Sequence, residues 1–464
     1  MTLLIVAIIV MAYVLIASQN LTHINKATVA IFAGTVGWVI YICFGADFVH
    51  SQYKAEYFDW LNGATSTSHV VKQYIAEHIF LPYVARAAEI AFFLLATMSI
   101  ADVLITNGCL DYLRSKMRTR NARKLLWMIT AVTFIISANL DNLTTTIVML
   151  MVMRNIVANR RQRMLYGSAI VIAANTGGAL TVIGEPTGLY LWNIKAVTAS
   201  LYSWHMLFPV LIAWALPTYL IGRMLPDRVD IVSQLSAYRD NSISKWVYVK
   251  QFVMLFVGIG GLWTIPTLYN ITHLSPFLGA LCVLSLLWLI NELFNRQVME
   301  TGQTVIPRIP KVLQFETVQT ILFVIGIMLS IGVVTETGAV QWLTEILDNT
   351  FHNVWLGGML AAVVSSVLDN FATTISFFTF HDVADASVSA TSFYANFMQD
   401  GNSWNIIAYC AAVGGNFLLI GSMSGIALLK SERIPLGWFF KNVGCKAILG
   451  WVLGFAVMYL MTLV

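Results

Sequence analysis

Apolar runs long enough to cross a bilayer recur along the whole chain and constrain its fold more than any other feature. A water-soluble chain of this length could not cover so much apolar surface, because 58% of its 464 residues are hydrophobic and only 11% are charged. The sequence therefore predicts an all-α polytopic membrane protein in contact with the lipid bilayer. About ten runs approach the roughly 20 residues that a span requires: 3–18, 27–45, 88–108, 164–193, 203–222, 247–268, 277–294, 316–338, 404–429 and 447–463.

Other global features point away from a leader peptide, a metal centre and nucleic acid. The apolar segment Met1–Ala17 has no basic residues before it and no cleavage site of small residues, so it is predicted to be a retained span. The five cysteines are scattered without metal-ligand spacing. The net charge of +4 does not indicate nucleic-acid binding, because Lys and Arg of membrane proteins collect in cytoplasmic loops.

The apolar stretch 125–153 is predicted to be a re-entrant hairpin. Basic residues flank it on both sides, so both flanks should be cytoplasmic, whereas a single span would put one flank outside. Its turn falls near Leu140-Asp141-Asn142. The basic flanks are Arg114, Lys116, Arg118, Arg120, Arg123 and Lys124 before it and Arg154, Arg160, Arg161 and Arg163 after it.

A second stretch, 353–380, has the opposite charge pattern. No Lys or Arg lies between Lys311 and Lys430, so both of its flanks should be external and the hairpin should enter from outside. Its turn falls near Asp369-Asn370. Ten crossings plus two hairpins then place both termini outside. The alternative, that each hairpin is a full crossing, stays open.

The two hairpins belong to an internal repeat. The segments 140–147 and 368–375 share the pattern Leu-Asp-Asn-x-x-Thr-Thr-Ile at a shift of 228 residues. Gly177-Gly178 and Ile183-Gly184 match Gly414-Gly415 and Ile420-Gly421 at a shift of 237. Because each half has five crossings and one hairpin, the second half should be inverted. We predict halves at 1–240 and 241–464.

Each half also contains a predicted broken helix, at 164–193 and 404–429. The first contains Gly177-Gly178 and Pro186, and the second contains four glycines and two serines. Pro removes a helical hydrogen bond and Gly is a poor helix former, so both helices should be interrupted. Discontinuous helices at corresponding positions of inverted halves indicate a substrate site near the bilayer midplane.

Asp141 and Asp369 are the leading candidates for that site. A charged carboxylate at the bilayer centre costs about 2.5–3.5 kcal/mol even on lenient scales, so two of them are unlikely to serve packing alone. In one interpretation backbone N–H groups at the turns satisfy both acids. In the other, the two carboxylates bind a desolvated monovalent cation, and neutral oxygens complete its coordination. Asn142, Thr144, Thr145, Asn370, Thr373 and Thr374 would supply those oxygens.

Glu185, in the first broken helix, is either a third ligand or a cap before Pro186. Glu89, near the external end of its span, is either solvated or part of a proton pathway. Glu336 ends another span and is predicted to lie at the membrane interface. Small polar residues are weaker candidates because they often satisfy backbone groups freed by a break: Asn175, Thr187, Asn416, Ser422 and Ser424.

The charge of the predicted site limits its substrate. The hairpins and the first halves of the broken helices contain no Lys, Arg or His, so the site is net acidic and favours a cation or a neutral solute. A membrane enzyme with two aspartates is disfavoured, since that class needs its acids on ordinary spans. There is no ATP-binding loop. The chain is therefore predicted to be a secondary transporter without a cofactor, not an enzyme.

These motifs resemble the NhaD-type sodium/proton antiporters of the ion transporter superfamily over about residues 20–464. The resemblance rests on both Asp-Asn hairpins and on the segment Asn175–Glu185, and it implies exchange of Na⁺ (or Li⁺) for H⁺. It also implies a homodimer in a bacterial inner membrane, and an acidic residue at the position of Glu89. One departure is Glu185, where the family usually has Asp. Site roles are implied for Asp141, Asn142, Thr144, Asn175, Glu185, Thr187, Asp369, Asn370, Ser422 and Ser424.

The same superfamily contains carriers of anions, which supply the alternative function. An ion-coupled permease for citrate, dicarboxylates or arsenite would share the fold. Only the acidity of the predicted site argues against this alternative.

Overall fold

A computed structural model describes residues 1–63, 65–109, 117, 119–230, 245–300, 311–350, 352–385, 387–389 and 392–463. Within these residues the chain is helical, and extended pairing is limited to two isolated bridges, Asn121 with Arg228 and Ala384 with Met398. The predicted all-α class is confirmed for this part of the chain. Arg114, Lys116 and Arg118 of the predicted cytoplasmic flank lie outside the described residues.

The helices of the first part of the chain precede and include the first predicted hairpin and broken helix. They are α1 (Thr2–Ala17), α2 (Gln19–Thr22), α3 (Lys26–Phe44), α4 (Ala46–Gln52), α5 (Lys54–Leu61), α6 (Ser68–Tyr74), a π-helical turn (Ile75–Phe80), α7 (Leu81–Thr106), α8 (Ala122–Ser137), α9 (Asn142–Ile156), α10 (Arg160–Gly178), α11 (Pro186–Asn193) and α12 (Ala199–Gly222).

The remaining helices include the second hairpin and broken helix. They are α13 (Lys245–Leu255), a π-helical turn (Phe256–Gly260), α14 (Ile265–Thr272), α15 (Pro276–Glu300), α16 (Lys311–Glu336), α17 (Ala339–Thr350), α18 (Val354–Ser365), α19 (Asn370–Phe378), a 3₁₀ turn (Phe393–Phe397), α20 (Asn402–Gly414), α21 (Met423–Glu432), α22 (Leu436–Phe439), a π-helical turn (Phe440–Gly444) and α23 (Cys445–Met461).

Six helices of the described chain are long and apolar enough to cross a bilayer: Lys26–Phe44, Ser68–Thr106, Ala199–Gly222, Pro276–Phe294, Thr317–Glu336 and Leu436–Met461. A seventh span would be the pair Val249–Gly260 and Ile265–Thr272, bent by 43°. The first predicted span is a shorter apolar helix, α1, and the predicted spans 164–193 and 404–429 are both interrupted. Polytopic character is confirmed, and the number of ten crossings stays a prediction.

The helices form two compact units. The first comprises Met1–Ala91, Val318–Asn353 and Ile375–Asp382, and the second comprises Phe92–Thr317, Val354–Thr374 and Val383–Val464. Each unit takes segments from both predicted halves of the sequence.

The first unit is organised by close packing of α3 against α16. A Cβ added at Gly34 would lie 2.9 Å from the Cβ of Leu329, so the absence of a side chain lets the two helices approach. The Trp38 indole donates a hydrogen bond of 2.9 Å to the Leu329 carbonyl. These contacts join sequence positions almost 300 residues apart.

The second unit is organised around α10, which packs against α8, α9, α12, α20 and α21. Every residue of α10 from Leu165 to Gly178 is buried, so this helix has no solvent-facing side along that length. It ends at Gly178, and the chain resumes helical structure only at Pro186. The break predicted from the paired glycines and the proline is therefore present.

Both predicted hairpin turns are also present. Helix α8 ends at Ser137 and α9 starts at Asn142, while α18 ends at Ser365 and α19 starts at Asn370. The second broken helix is interrupted between Gly414, the end of α20, and Met423, the start of α21. The Asp-Asn pairs thus stand where a helix begins.

Each hairpin turn packs against the helix break that follows it in the sequence, and the contacts match at the two places. Ser137 Oγ donates to the Ala174 carbonyl at 2.6 Å, and Ser365 Oγ donates to the Ala411 carbonyl at 2.6 Å. A Cβ at Gly421 would lie 2.5 Å from the Ser365 carbonyl oxygen. Gly184 and Gly421 are needed because backbone from the turn occupies the space of their missing side chains.

We expect Gly414→Ala to lower the free energy of unfolding by about 1–3 kcal/mol, as overpacking does. A Cβ at Gly414 would lie 2.5 Å from the Ala362 carbonyl oxygen, which belongs to the backbone of α18 and cannot rotate away. Gly357→Ala on α18 is the matched control, since no atom lies within 4 Å of a Cβ there. The measurement is the thermal unfolding midpoint of the purified protein, and equal midpoints for the two variants would contradict the prediction.

Candidate functional site

The candidate site lies in the second unit, where the two turns meet the two helix breaks. Helix N-termini supply most of its polar groups: Asp141 precedes α9, Glu185 precedes α11, Asp369 precedes α19 and Ser422 precedes α21. All twelve residues predicted to bind the cation or proton are buried: Asp141, Asn142, Thr144, Thr145, Asn175, Glu185, Thr187, Asp369, Asn370, Thr373, Ser422 and Ser424.

Glu185 links the two turns. One carboxylate oxygen, Oε2, accepts hydrogen bonds from Asn370 Nδ2 at 3.0 Å and from Asn142 Nδ2 at 3.5 Å. Glu185 occupies the N-cap position of α11, yet its side chain makes no capping hydrogen bond. Of the two interpretations of Glu185, the structure therefore disfavours the cap.

Asn175 extends this network to the second broken helix. Its Oδ1 accepts from Asn142 Nδ2 at 3.3 Å, and its Nδ2 donates to Ser422 Oγ and Asn416 Oδ1, both at 2.9 Å. Ser422 Oγ also accepts from the Gly425 N–H at 3.0 Å and so caps α21. Side chains from both turns and both breaks are thereby joined in one buried hydrogen-bonded network.

The two aspartates are bonded locally. Asp141 Oδ2 accepts from the backbone N–H of Thr144 at 2.9 Å and from its hydroxyl at 3.3 Å, and Asp369 Oδ1 accepts from the Phe371 N–H at 3.2 Å. The interpretation in which backbone N–H groups at the turns satisfy the acids thus accounts for these backbone hydrogen bonds. Asp141 and Asp369 nevertheless interact electrostatically with each other and with Glu185.

Several predicted ligands have buried oxygens without a hydrogen-bond partner. These oxygens are Glu185 Oε1 and the hydroxyls of Thr187, Thr373, Ser424 and Thr145. A buried polar atom usually has a hydrogen-bond partner in native structures, and these oxygens remain able to accept a hydrogen bond or to coordinate an ion. All five belong to helices that begin at the site or to the residue directly before one of them.

Thr145 differs from the other four. Together with Thr144 it lines a small apolar cavity beside Leu140, Leu255 and Ile259. No hydrogen bond connects it to the network of Glu185 and Asn175, so the structure does not bring Thr145 together with them.

No group of three or more His, Cys, Asp or Glu side chains among the described residues is arranged to hold a metal ion. The three carboxylates of the site therefore do not converge on a single metal position in this conformation. A monovalent cation there would depend on neutral oxygens as well as on carboxylates.

Glu89 lies outside this network. It is half-buried on α7 within the first unit, and its part in a proton pathway stays a prediction. Glu336, also in the first unit, is 5% exposed and accepts hydrogen bonds from Tyr83 Oη at 2.7 Å and Tyr53 Oη at 3.0 Å. The interfacial location predicted for Glu336 stays a prediction, and the structure adds that tyrosines distant in sequence cover its carboxylate.

Two site residues carried little or no signal in the sequence. Tyr202 on α12 is buried, its hydroxyl has no hydrogen-bond partner and it interacts electrostatically with Glu185. The sequence does not distinguish a tyrosine at such a position from one that packs within an apolar span. Asn416 was among the weaker candidates, and its bond to Asn175 now places it in the network.

Comparison with known proteins identifies the family. A family model described as citrate transporter (CitMHS) matches residues 1–414. Among curated relatives, "Sodium/proton antiporter 1" of Arabidopsis thaliana is 32% identical over 372 residues, covering 80% of this chain and 62% of that protein. The chain thus spans less than two thirds of this relative's length.

Two further relatives are covered more fully. "Sodium/proton antiporter 2" of Arabidopsis thaliana is 28% identical over 80% of this chain and 84% of its own length. "Na(+)/H(+) antiporter NhaD" of Vibrio parahaemolyticus is 26% identical over 77% of this chain and 85% of its own length. The chain therefore belongs to the citrate transporter family, and its predicted resemblance to the NhaD-type antiporters of the ion transporter superfamily is confirmed.

Proposed function

We propose that this protein is a secondary transporter that exchanges Na⁺ (or Li⁺) for H⁺ on the buried carboxylates Asp141, Asp369 and Glu185. The observation that carries the proposal is the coincidence of three buried acids, at the starts of α9, α11 and α19, with buried oxygens that have no hydrogen-bond partner among the described residues. Ionised carboxylates buried in this way need a compensating positive charge. The oxygens without partners would coordinate the cation that supplies it. The names of the sodium/proton antiporter relatives support the same ion pair.

The cation would be held by carboxylate and neutral oxygens together. Glu185 Oε1 and the hydroxyls of Thr187, Thr373 and Ser424 are available without breaking any described hydrogen bond. The helix breaks add backbone carbonyls, since the last turn of a helix leaves its carbonyls without intrahelical partners. Asn142 and Asn370, which donate to Glu185 in this state, would present their amide oxygens after a half-turn of the amide group.

Exchange follows from competition between a proton and a cation. A carboxylate that holds a proton no longer attracts Na⁺, and bound Na⁺ favours loss of the proton. Because the two ions use the same oxygens, a site that opens alternately to the two sides of the membrane couples their movement in opposite directions. Asp141 and Asp369 would carry this competition, with Glu185 as a third partner.

We further propose that the halves 1–240 and 241–464 are inverted repeats and that their hairpins, 125–153 and 353–380, re-enter from opposite faces. The opposite charges of the hairpin flanks and the matching Ser137 and Ser365 contacts support this arrangement. A homodimer and a bacterial inner membrane stay predictions from the family resemblance. The Arabidopsis relatives extend the family to plants.

The alternative function is ion-coupled transport of an oxyanion or small acid such as citrate, a dicarboxylate or arsenite. Its only support among the comparisons is the description of the matching family model, whereas the antiporter relatives do not favour it. The three carboxylates of the site oppose it, because they would repel a polyanion. Proteoliposomes are expected to take up no labelled citrate under conditions in which Na⁺ drives a change of internal pH.

We expect Asp141→Asn and Asp369→Asn to reduce Na⁺-dependent proton movement at least tenfold, since each removes a charge that the cation and proton share. Dequenching of a pH-sensitive dye in everted vesicles measures the exchange. Asp227→Asn is the control, because Asp227 is 91% exposed and, among the described residues, forms an ion pair with Arg123 at 3.5 Å. Normal exchange by either site variant, at matched protein levels, would refute the assignment of that carboxylate.

Glu185→Gln is expected to raise the Na⁺ concentration for half-maximal exchange roughly tenfold, as loss of a charged ligand does. Glu185→Asp keeps the charge but shortens the side chain by one methylene, so the carboxylate would lie farther from Asn370. It should therefore alter the ratio of Li⁺ to Na⁺ affinity more than the maximal rate. If Gln at position 185 leaves the half-maximal concentration unchanged, Glu185 is not a ligand.

The proposal also fixes the sign of the pH dependence. While one proton competes with Na⁺, the half-maximal Na⁺ concentration should fall about tenfold for each unit of rising pH and then level off once the acids are ionised. Titrations of exchange with Na⁺ at several pH values measure this slope. A half-maximal concentration that is independent of pH would argue against shared carboxylates.

A further inference from the structure

Glu432, the last residue of α21, is a buried carboxylate between two arginines. Its side chain is 1% exposed. Oε1 accepts from Arg154 Nε at 2.7 Å and from Arg163 Nε at 3.2 Å, and Oε2 accepts from Arg163 Nε at 3.2 Å. The carboxylate is the buried partner, since the side chains of Arg154 and Arg163 are 47% and 22% exposed. A buried charge is costly unless it is paired, so the two arginines make the cluster a local constraint on the end of α21.

Arginines also bind the backbone at the end of α21. Arg154 Nη2 donates to the Ser431 carbonyl, and Arg160 Nη2 donates to the carbonyls of Glu432 and Arg433 at 3.2 and 3.3 Å. The C-terminus of a helix has unpaired carbonyls and a partial negative charge, so cations are favourable there. Side chains from α9 and α10 therefore cap the end of α21.

The three helices joined by this cluster each carry a residue of the candidate site at the other end. Helix α9 begins directly after Asp141, α10 carries Asn175 in its last turn and α21 begins directly after Ser422. Helix α21 has 10 residues, which corresponds to a length of about 15 Å. The Glu432 cluster and the site thus lie at opposite ends of the same three helices.

The same helices also touch between these two ends. A Cβ added at Gly167 of α10 would lie 2.5 Å from Leu428 Cδ1 and 3.2 Å from Leu150 Cδ2. Leu428 belongs to α21 and Leu150 to α9, so all three helices meet at the space left by this glycine. A displacement of α21 at Glu432 would pass along a packed interface to Ser422, because packed cores transmit strain.

We propose that Glu432 is a positioning residue for the candidate site. With Arg154 and Arg163 it fixes the register of α9, α10 and α21, and thereby the hydrogen bond between Asn175 and Ser422. The effect on cation binding rests on the function proposed above, whereas the mechanical coupling does not. The arginines that flank the first hairpin thus bind a specific partner as well as indicating topology.

The test compares Glu432→Gln with the wild-type full-length protein in two measurements. Hydrogen–deuterium exchange should become faster in peptides covering 139–146 and 422–428, at the opposite end of the helices from the substitution. The Na⁺ concentration for half-maximal exchange should rise roughly tenfold, as is usual when a residue that orients a ligand is lost. The maximal rate should change less, because Glu432 does not contact the site.

Two control variants separate positioning from a general loss of charge. Asp227→Asn breaks the exposed ion pair with Arg123 in the same unit and should change both measurements less than about twofold. Glu432→Asp retains the charge and should restore much of the wild-type Na⁺ dependence. If Glu432→Gln does not fold, Arg154→Gln replaces it, since Arg163 still compensates Glu432 and the same two shifts should appear in smaller size.

Unchanged deuterium uptake in both distant peptides would overturn the proposal, whichever of the two variants is used. Faster uptake there with an unchanged half-maximal Na⁺ concentration would overturn the role in cation binding. If the wild-type protein itself shows no Na⁺-dependent exchange, the proposed function fails, and deuterium uptake alone then decides whether Glu432 positions the site.

Discussion

Glu185 is a buried carboxylate with no basic partner among the described residues. The arrangement of the second unit depends on the neutral groups that hold this carboxylate. Its described hydrogen bonds come from two neutral amides, Asn142 and Asn370, which stand at the starts of α9 and α19. Those amides reach Glu185 because glycines at the helix breaks admit the backbone of the turns. Turn, break and carboxylate are therefore parts of one arrangement, and a change in any of them alters the others.

The sequence predicted the features that have local causes. Paired Gly or Pro interrupts helices, and the charges flanking the two apolar stretches indicated hairpins with turns near their middles, so both turns and both breaks were predicted from local sequence. The partners of Glu185 and of Glu432 were not found. Each depends on side chains that lie 43 to 278 residues away in the chain, and only the folded structure brings them together. The arginines around 154–163 were interpreted only as topology signals for the same reason.

The two halves are alike in backbone contacts and unlike in site chemistry. At a shift of 237 residues, Glu185 corresponds to Ser422, and Asn175 corresponds to Ala412. Asn416 in turn corresponds to Ala179. At the helix breaks, each half thus supplies one asparagine, Asn175 or Asn416, at a different position. These two asparagines form a hydrogen bond with each other. A single carboxylate at the breaks makes the site asymmetric although its frame is repeated.

Four helices, α9, α11, α19 and α21, begin at this site. A helix N-terminus carries roughly half a positive charge and favours anions. The acids of the site therefore have partial compensation even when no ion is bound. In the proposed exchange this would lower the difference in free energy between the ion-bound and the empty protein. A carrier whose empty site was much less favourable would hold its ion too tightly to release it, so the helix starts would favour turnover as much as binding.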